Sequence, residues 1–489
     1  MKGKPCIYAA SSKTHGICRF VAQELRTFAI RAFWVIVLSL ITVTSVWCEE
    51  SVFTDKSAPE WKIGYWAWDT SYKPLDVKTA DAKPLQLLYV QVGEYRGHPG
   101  QEECDRKPYL RMPGRLPRAE NYVAVFRMSS ANSSDLKMIP GLVESYLALK
   151  NEAKSDNRQL AGLQLDYDCP TNQLSGYALF LKALRSALPP TEILSITVLL
   201  DWFRPGTDIA EVIRQVDEFV PQFYDVDSGK ATDITAGVAR IIEPKWGAVF
   251  NSFAKPYRIG IAAFGRILGV NKSKTRKSQP GGRARILDAN LLELMADNRL
   301  TPLGSTINAA GERLARYRNE SAKKIDDDCD PAIHEIRMII PTSAALLNAY
   351  QAAKAMGGQC KGVLFFRWPL VNEAMVFSQA EVERVISGGP AIADAAALKV
   401  EDGLCAAVSC VDIGLTLRER FPQEPVRFRI HSSKELEYIV PDRLLKPRMI
   451  GSHVIELTIP ADVGLPKIHV GRAVSLDASA FTLEEVNTK

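Results

Sequence analysis

Residues 162–170 read Gly-Leu-Gln-Leu-Asp-Tyr-Asp-Cys-Pro. Strand alternation places Gln164, Asp166 and Asp168 on one face and Leu163, Leu165 and Tyr167 on the other. Two carboxylates stacked in one column resist simultaneous ionisation, because like charge and desolvation both favour the neutral acid. Such a pair can carry a proton into the pH range where a general acid works. The same residues also suit a polar strand end whose aspartates cap the next helix or accept a backbone amide.

A strand that is polar on one face and apolar on the other needs helices outside and an open mouth inside, as in an α/β barrel. Eight strand-like runs are spaced for this arrangement: Ile63–Trp68, Leu85–Val92, Tyr122–Phe126, Gly162–Asp168, Leu194–Leu200, Val220–Tyr224, Arg258–Phe264 and Gly362–Phe366. Leu174, Tyr177, Ala178, Leu181, Leu184 and Leu188 recur at helical spacing, and Pro189-Pro190 ends that helix. A second helix is predicted over Ser343–Met356, before Gly357-Gly358. Two excursions interrupt the pattern, Cys104–Arg118 and Ile267–Ile333. Asn271–Arg285 has the composition of a solvated basic loop. The acidic knot Asp326–Asp330 matches no calcium-loop spacing.

Beyond Ala374 a short helix and an Ala-rich linker (376–395) lead to Val426–Ile430, Leu436–Val440, His453–Ile459 and Lys467–Leu476, which read as short strands of a β-sandwich. The expected organisation is a signal peptide or anchor (1–48), a (β/α)8 barrel (52–375), a linker (376–395) and a small accessory sandwich (396–489).

The chain has 489 residues, 46% hydrophobic and 24% charged, the balance of an ordinary globular protein with room for two folded units. A net charge of +5 over this length gives no argument for nucleic acid as a partner. The six histidines show no metal-ligand spacing, so neither a metal nor a cofactor is expected. Arg19, Arg26 and Arg31 precede an apolar run from Ala32 to Trp47, which stops at Cys48-Glu49-Glu50. That pattern fits a secretory signal, with an uncleaved anchor as the alternative and the only expected membrane contact. Export permits disulfides, and Cys405 and Cys410 are spaced to pair across a strand turn.

From Ala161 to Asp168 the chain resembles the strand-four signature of the family 18 glycoside hydrolases, Asp-Gly-x-Asp-x-Asp-x-Glu. Lys62–Trp66 resembles that family's first strand, Gln222-Phe223-Tyr224-Asp225 its strand six, Arg258–Arg266 its strand seven and Gly362–Phe366 its strand eight. The nearest likeness is to a bacterial family of unknown function with this chitinase-like barrel, sharing an Asp-aromatic-Asp on strand four and a strand five like Leu194–Thr197. The chain departs from the signature where it matters most. Asp168 stands at the proton-donating Glu, Ala161 at the first aspartate, Gln164 at the second and Phe366 at the strand-eight Trp.

The resemblance implies a glycan-directed barrel in which Asp168 is the acid, Asp166 orients the substrate's N-acetyl group, and Tyr224 and Gln222 form a hydrogen-bonding wall. The shorter side chain at Asp168 withdraws the carboxyl, and a misplacement on the order of 1 Å costs about 10²-fold in rate. Gln164, Asp225, Asp201, Trp202, Trp66, Arg367 and Trp368 fall at or near strand ends and are expected to line the same cleft. Indole faces there would stack on sugar rings; packed beneath loops, they would be core. Three functions compete: an exported glycosidase, a non-catalytic glycan-binding barrel and a structural envelope protein. The fold alone does not choose among them.

Overall fold

The structure is a computed structural model. It describes residues 61–68, 74–77, 83–95, 110–128, 135–224, 237–271, 284–287, 291–296, 300–320, 333–371, 373–388, 396–405, 409–417, 421–465, 467–474 and 480–486. The expected leader, residues 104–109 of the Cys104–Arg118 excursion, most of the basic stretch after Asn271, the Asp326–Asp330 knot and Asp225 lie outside these residues.

The strands β1 (Lys62–Ala67), β2 (Leu85–Tyr95), β3 (Ala119–Met128), β4 (Leu160–Tyr167), β5 (Ile193–Val198), β6 (Glu218–Phe223) and β7 (Tyr257–Ala262) follow one another around a closed barrel. An inserted sheet then intervenes: β8 (Arg266–Asn271), β9 (Ala284–Ile286), β10 (Leu300–Ile307), β11 (Arg313–Asn319) and β12 (Ile333–Ile340). β13 (Cys360–Phe366) closes the barrel between β7 and β1, and every barrel pairing is parallel. The eight runs expected from the sequence are the eight barrel strands.

Alternation divides the barrel into two cores. Outward residues such as Leu163, Leu165, Ile196, Phe219 and Phe365 meet the helices in one large apolar cluster. Inward residues such as Trp66, Tyr89, Val125, Val220 and Leu364 form a second cluster inside. The helices α1 (Ile139–Ser155), α2 (Leu174–Ala187), α3 (Ile209–Arg214), α4 (Lys245–Asn251), α5 (Leu291–Met295), α6 (Ser343–Lys354) and α7 (Gln379–Ser387) follow in order. On α2 the predicted stripe of Leu174, Tyr177, Ala178, Leu181 and Leu184 is buried. The Thr342 hydroxyl caps α6 by accepting from the Ala345 amide at 3.1 Å.

The short helix expected beyond Ala374 is present, and it packs on the barrel although it falls within the span 376–395 assigned to the linker. α7 carries a Ser378–Glu381 capping box, ends at Gly388 with a φ of 66°, and buries Val382 in the outer barrel core.

The excursion after Ile267 also differs from expectation, since it is an antiparallel sheet in the order β10–β11–β12–β8–β9. Its apolar face (Ala315, Tyr317, Ile336, Met338) is diluted in sequence by Arg316, Arg318 and Arg337 on the solvent face. β10 is exposed from Thr301 to Ile307 and holds Pro302 and Gly304, so its sequence gives no strand signal.

The C-terminal region is a β-sandwich of two four-stranded sheets. One is β14 (Ala396–Asp402), β15 (Cys410–Leu417), β20 (Lys467–Val474) and β17 (Tyr438–Pro441). The other is β18 (Arg448–Ile450), β19 (Val454–Ile459), β16 (Val426–Ser432) and β21 (Phe481–Val486). Ile413, Leu415, Phe428, Ile430, Ile455 and Ile468 fill the space between them. Cys405 and Cys410 form the expected disulfide, whereas Cys169 and Cys360 are buried thiols.

The sandwich is fastened to the inserted sheet. Arg313 pairs with Asp462 and donates through Nη2 to the Phe421 carbonyl at 2.7 Å, and the Tyr317 hydroxyl also donates to Asp462. Phe421 and Met375 join the apolar face of the inserted sheet in one cluster.

Candidate functional site

The strand-four aspartates lie at the carboxyl end of the barrel, where loops rather than further strand follow. Asp166 faces inward and its Oδ1 accepts from Thr197 Oγ1 on β5 at 2.7 Å and from Gln222 Nε2 on β6 at 3.3 Å. Its β-bridge partner on β3 is Arg127. Asp168 follows the strand and is exposed at the rim.

Burial dominates the electrostatics of Asp166 and the charge of Asp168 adds to it; the Thr197 hydroxyl, Arg127 and Gln222 oppose both, leaving Asp166 raised to about 6. Asp168 is also raised, because the strand ends around it partly desolvate an otherwise exposed carboxyl, against the pull of Arg127. Burial and then the two carboxylates push the Tyr224 phenol far up, so it stays neutral and able to donate.

Aromatic rings surround the pair. Phe366 stacks on Tyr224 with centroids 4.9 Å apart, and Trp68 meets Phe366 edge-on at 5.6 Å. The Arg127 guanidinium lies 5.8 Å from the Trp68 ring centroid and 4.0 Å from the Glu94 carboxylate. Trp68 and Phe366 are each only partly buried, so ring surface faces outward at this end of the barrel.

Beneath this layer a polar network fills the barrel. Trp66 Nε1 donates to Gln164 Oε1 at 2.8 Å, and Gln164 Nε2 donates to Ser195 Oγ at 3.1 Å. Ser195 Oγ and Tyr89 Oη donate to Glu218 Oε1 at 3.3 and 2.6 Å, and Glu218 Oε2 pairs with Arg258 Nε at 2.8 Å. A connected network of this kind, closed by the Glu218–Arg258 ion pair, is a packed floor.

Several residues expected in the cleft sit elsewhere. Gln164 is fully buried with both amide atoms engaged, so it belongs to the floor. Trp66 is buried in the same layer, edge-on to Tyr89, Tyr224 and Phe366. Trp202 lies in the outer core, where its indole donates to the Cys169 carbonyl at 2.9 Å. Trp368 is also in the outer core, edge-on to Tyr65 and donating to the Asp76 carbonyl at 3.0 Å. Large aromatics next to a barrel end gain more from helix contacts than from exposure, and no face of these three is free for a sugar. Arg367 is held by Glu373 through two hydrogen bonds, one of 2.8 Å. Asp201 is solvent-exposed and pairs with Arg204 at 2.9 Å. The peptide joining Phe366 to Arg367 is cis.

The structure therefore brings together Asp166, Asp168, Gln222 and Tyr224 from the expected set. Trp68, one of the aromatics that the sequence sets near a strand end, stays with them, and the structure adds Thr197 and Arg127 as partners of Asp166. A cavity of about 490 Å³ lies on the β5–β6 side, lined by Leu200, Ala239, Arg240, Trp246 and Asn308 among others, and neither aspartate borders it.

Residues 121–309 match the family model described as "Domain of unknown function (DUF3142)". Among solved structures, chitinase ChiA74 from Bacillus thuringiensis is similar at 10% identity with a TM-score of 0.41, over 86% of this chain and 100% of that one. The Bacillus cereus spore cortex-lytic enzyme SleL is similar at 11% identity with a TM-score of 0.42, over 68% of this chain and 75% of that one. A class V chitinase from Nicotiana tobaccum is similar at 11% identity with a TM-score of 0.43, over 67% of this chain and 98% of that one. No curated protein matches the chain.

Proposed function

We propose that the carboxyl end of the barrel is a glycan site at which Asp166 and Asp168 act as one coupled acid. The observation that carries this reading is the state of Asp166. Burial and its neighbour hold it near 6, while Thr197 and Gln222 fix its orientation. A carboxyl kept close to neutrality, with a second one at the rim, matches the requirements of proton transfer to a glycosidic oxygen. In this reading Asp168, the more exposed of the two, donates the proton to the leaving oxygen. Asp166 remains beside the sugar as the carboxylate that offsets positive charge developing in the transition state. Tyr224 donates from the wall, and Trp68 and Phe366 offer ring surface to the sugar. The family 18-like signature at Ala161–Asp168 supports the same assignment.

The burial of Trp66, Trp202 and Trp368 favours a second reading, a non-catalytic glycan-binding or structural cell-envelope protein, because it leaves fewer stacking surfaces than the sequence offered. Export to the periplasm, envelope or medium fits both readings. Support comes from the basic-apolar pattern before Cys48 and from the Cys405–Cys410 disulfide.

A panel of peptidoglycan fragments and α- and β-linked oligosaccharides separates these readings when binding and product release are recorded together. Cleavage that Asp168→Asn abolishes without loss of binding supports the coupled acid. Binding without cleavage, unchanged in Asp168→Asn, supports the binding module.

A further inference from the structure

Beside Asp166 the structure leaves one buried hydrogen-bond acceptor without a donor, Gln222 Oε1. Gln222 turns its amide N–H toward Asp166, which puts Oε1 of the same planar group beside the carboxylate. That oxygen belongs to a side chain only 5% exposed and accepts no hydrogen bond. Both hydrogen bonds accepted by Asp166 fall on Oδ1, which leaves Oδ2 with acceptor capacity to spare.

The charge balance points the same way. Among the described residues, Asp166 and Asp168 both feel one guanidinium, Arg127, which also lies 4.0 Å from Glu94 and over Trp68. A ligand covering this end of the barrel strips water from the carboxylates. A neutral ligand makes their ionisation costlier, whereas a cation compensates it.

We infer that this site, if it is the glycan site proposed above, takes a sugar bearing a free, protonated amine. An ammonium brings three donors and one positive charge to Asp166 Oδ2, Asp168 and the orphaned Gln222 Oε1. An N-acetyl group at the same position carries no charge and offers a single N–H donor in place of the ammonium's three. The cationic sugar is therefore preferred over its acetylated form.

The test is calorimetric titration of the full chain at pH 7 with tetramers of glucosamine, N-acetylglucosamine and glucose of one linkage. The glucosamine tetramer is expected to bind at least about ten-fold more tightly than the other two, from the worth of one charge-assisted contact. Asp168→Asn, at an exposed position where folding is not at stake, is expected to remove most of that preference, and Gln222→Met part of it. Equal or tighter binding of the acetylated or neutral tetramer overturns the amine assignment and leaves the glycan reading in place. A glucosamine preference that survives Asp168→Asn and Gln222→Met intact also overturns it, by placing the amine elsewhere. Binding of none of the three overturns the assignment and counts against the glycan reading as well.

Discussion

Thr197 Oγ1 donates to Asp166 Oδ1 at 2.7 Å, from the strand beside the one that carries the aspartate. This bond favours the ionised carboxylate, while burial and Asp168 favour the neutral acid. Asp166 is raised to about 6 because burial and Asp168 outweigh the bonds that favour the ionised form.

Removing the hydroxyl should tip that balance. Thr197→Val keeps the shape of the side chain and deletes a bond to a charged group, worth about 1.5–3 kcal/mol, so Asp166 should titrate about one unit or more higher. Carbon-13 NMR of the aspartate carboxyls measures this directly. An unchanged titration would mean that the hydroxyl does not act on Asp166.

The raised value of Asp166 also fixes how stability depends on pH. The folded state holds this proton more tightly than the unfolded chain, whose aspartates titrate near 3.9. The stabilisation is complete below that value and is lost as pH rises through about 6. Ionised Asp166 then costs about 3 kcal/mol at pH 7–8. Asp166→Asn should accordingly melt higher than the wild type at pH 8, and the gap should close toward pH 4. A gap that widens at low pH would contradict the sign.

Tryptophans in the core and at the barrel end should behave oppositely. Trp202→Ala and Trp368→Ala each remove a fully buried indole with its hydrogen bond and should destabilise the fold by about 3–5 kcal/mol. Trp68→Ala should leave denaturation nearly unchanged and weaken glycan binding. Denaturant melts and a binding assay on the three variants decide the matter, and a stable Trp202→Ala with impaired binding would return that ring to the site.

Asp462 tests whether the sandwich is a detachable module. Asp462→Ala strands the Arg313 guanidinium, itself nearly buried, between the inserted sheet and the sandwich. Loss of one partner from a buried pair costs about 3–5 kcal/mol. A single destabilised transition is expected in urea. An unshifted barrel transition with a separately melting sandwich would show two independent units.

Much of the barrel was legible because a strand between helices and an interior imposes a strict two-residue period, as at Leu163–Asp168. Four of the eight sandwich strands (β16, β17, β19 and β20) and the Cys405–Cys410 bridge were legible for similar local reasons, whereas β14, β15, β18 and β21 were not read as strands. The inserted sheet was hidden because one face of β11 is arginine-rich and β10 is exposed almost throughout. In the site, local pattern located Asp166 and Asp168 but not their partners. Thr197 and Arg127 become partners of Asp166 only through the lateral register of β3, β4 and β5, which no single strand encodes. The tryptophans misled because proximity to a strand end does not say which way the chain turns next. Trp368, two residues beyond inward Phe366, packs outward against Tyr65.

The most direct measurement is the pH dependence of product release from whichever oligosaccharide of the panel is cleaved. An acid drawn from the Asp166–Asp168 pair must be protonated to act, so the rate should fall as pH rises through about 6, and Thr197→Val should move that limb upward. A rate that is flat from pH 4 to 8, or the absence of any cleavage across the panel, would contradict the coupled acid.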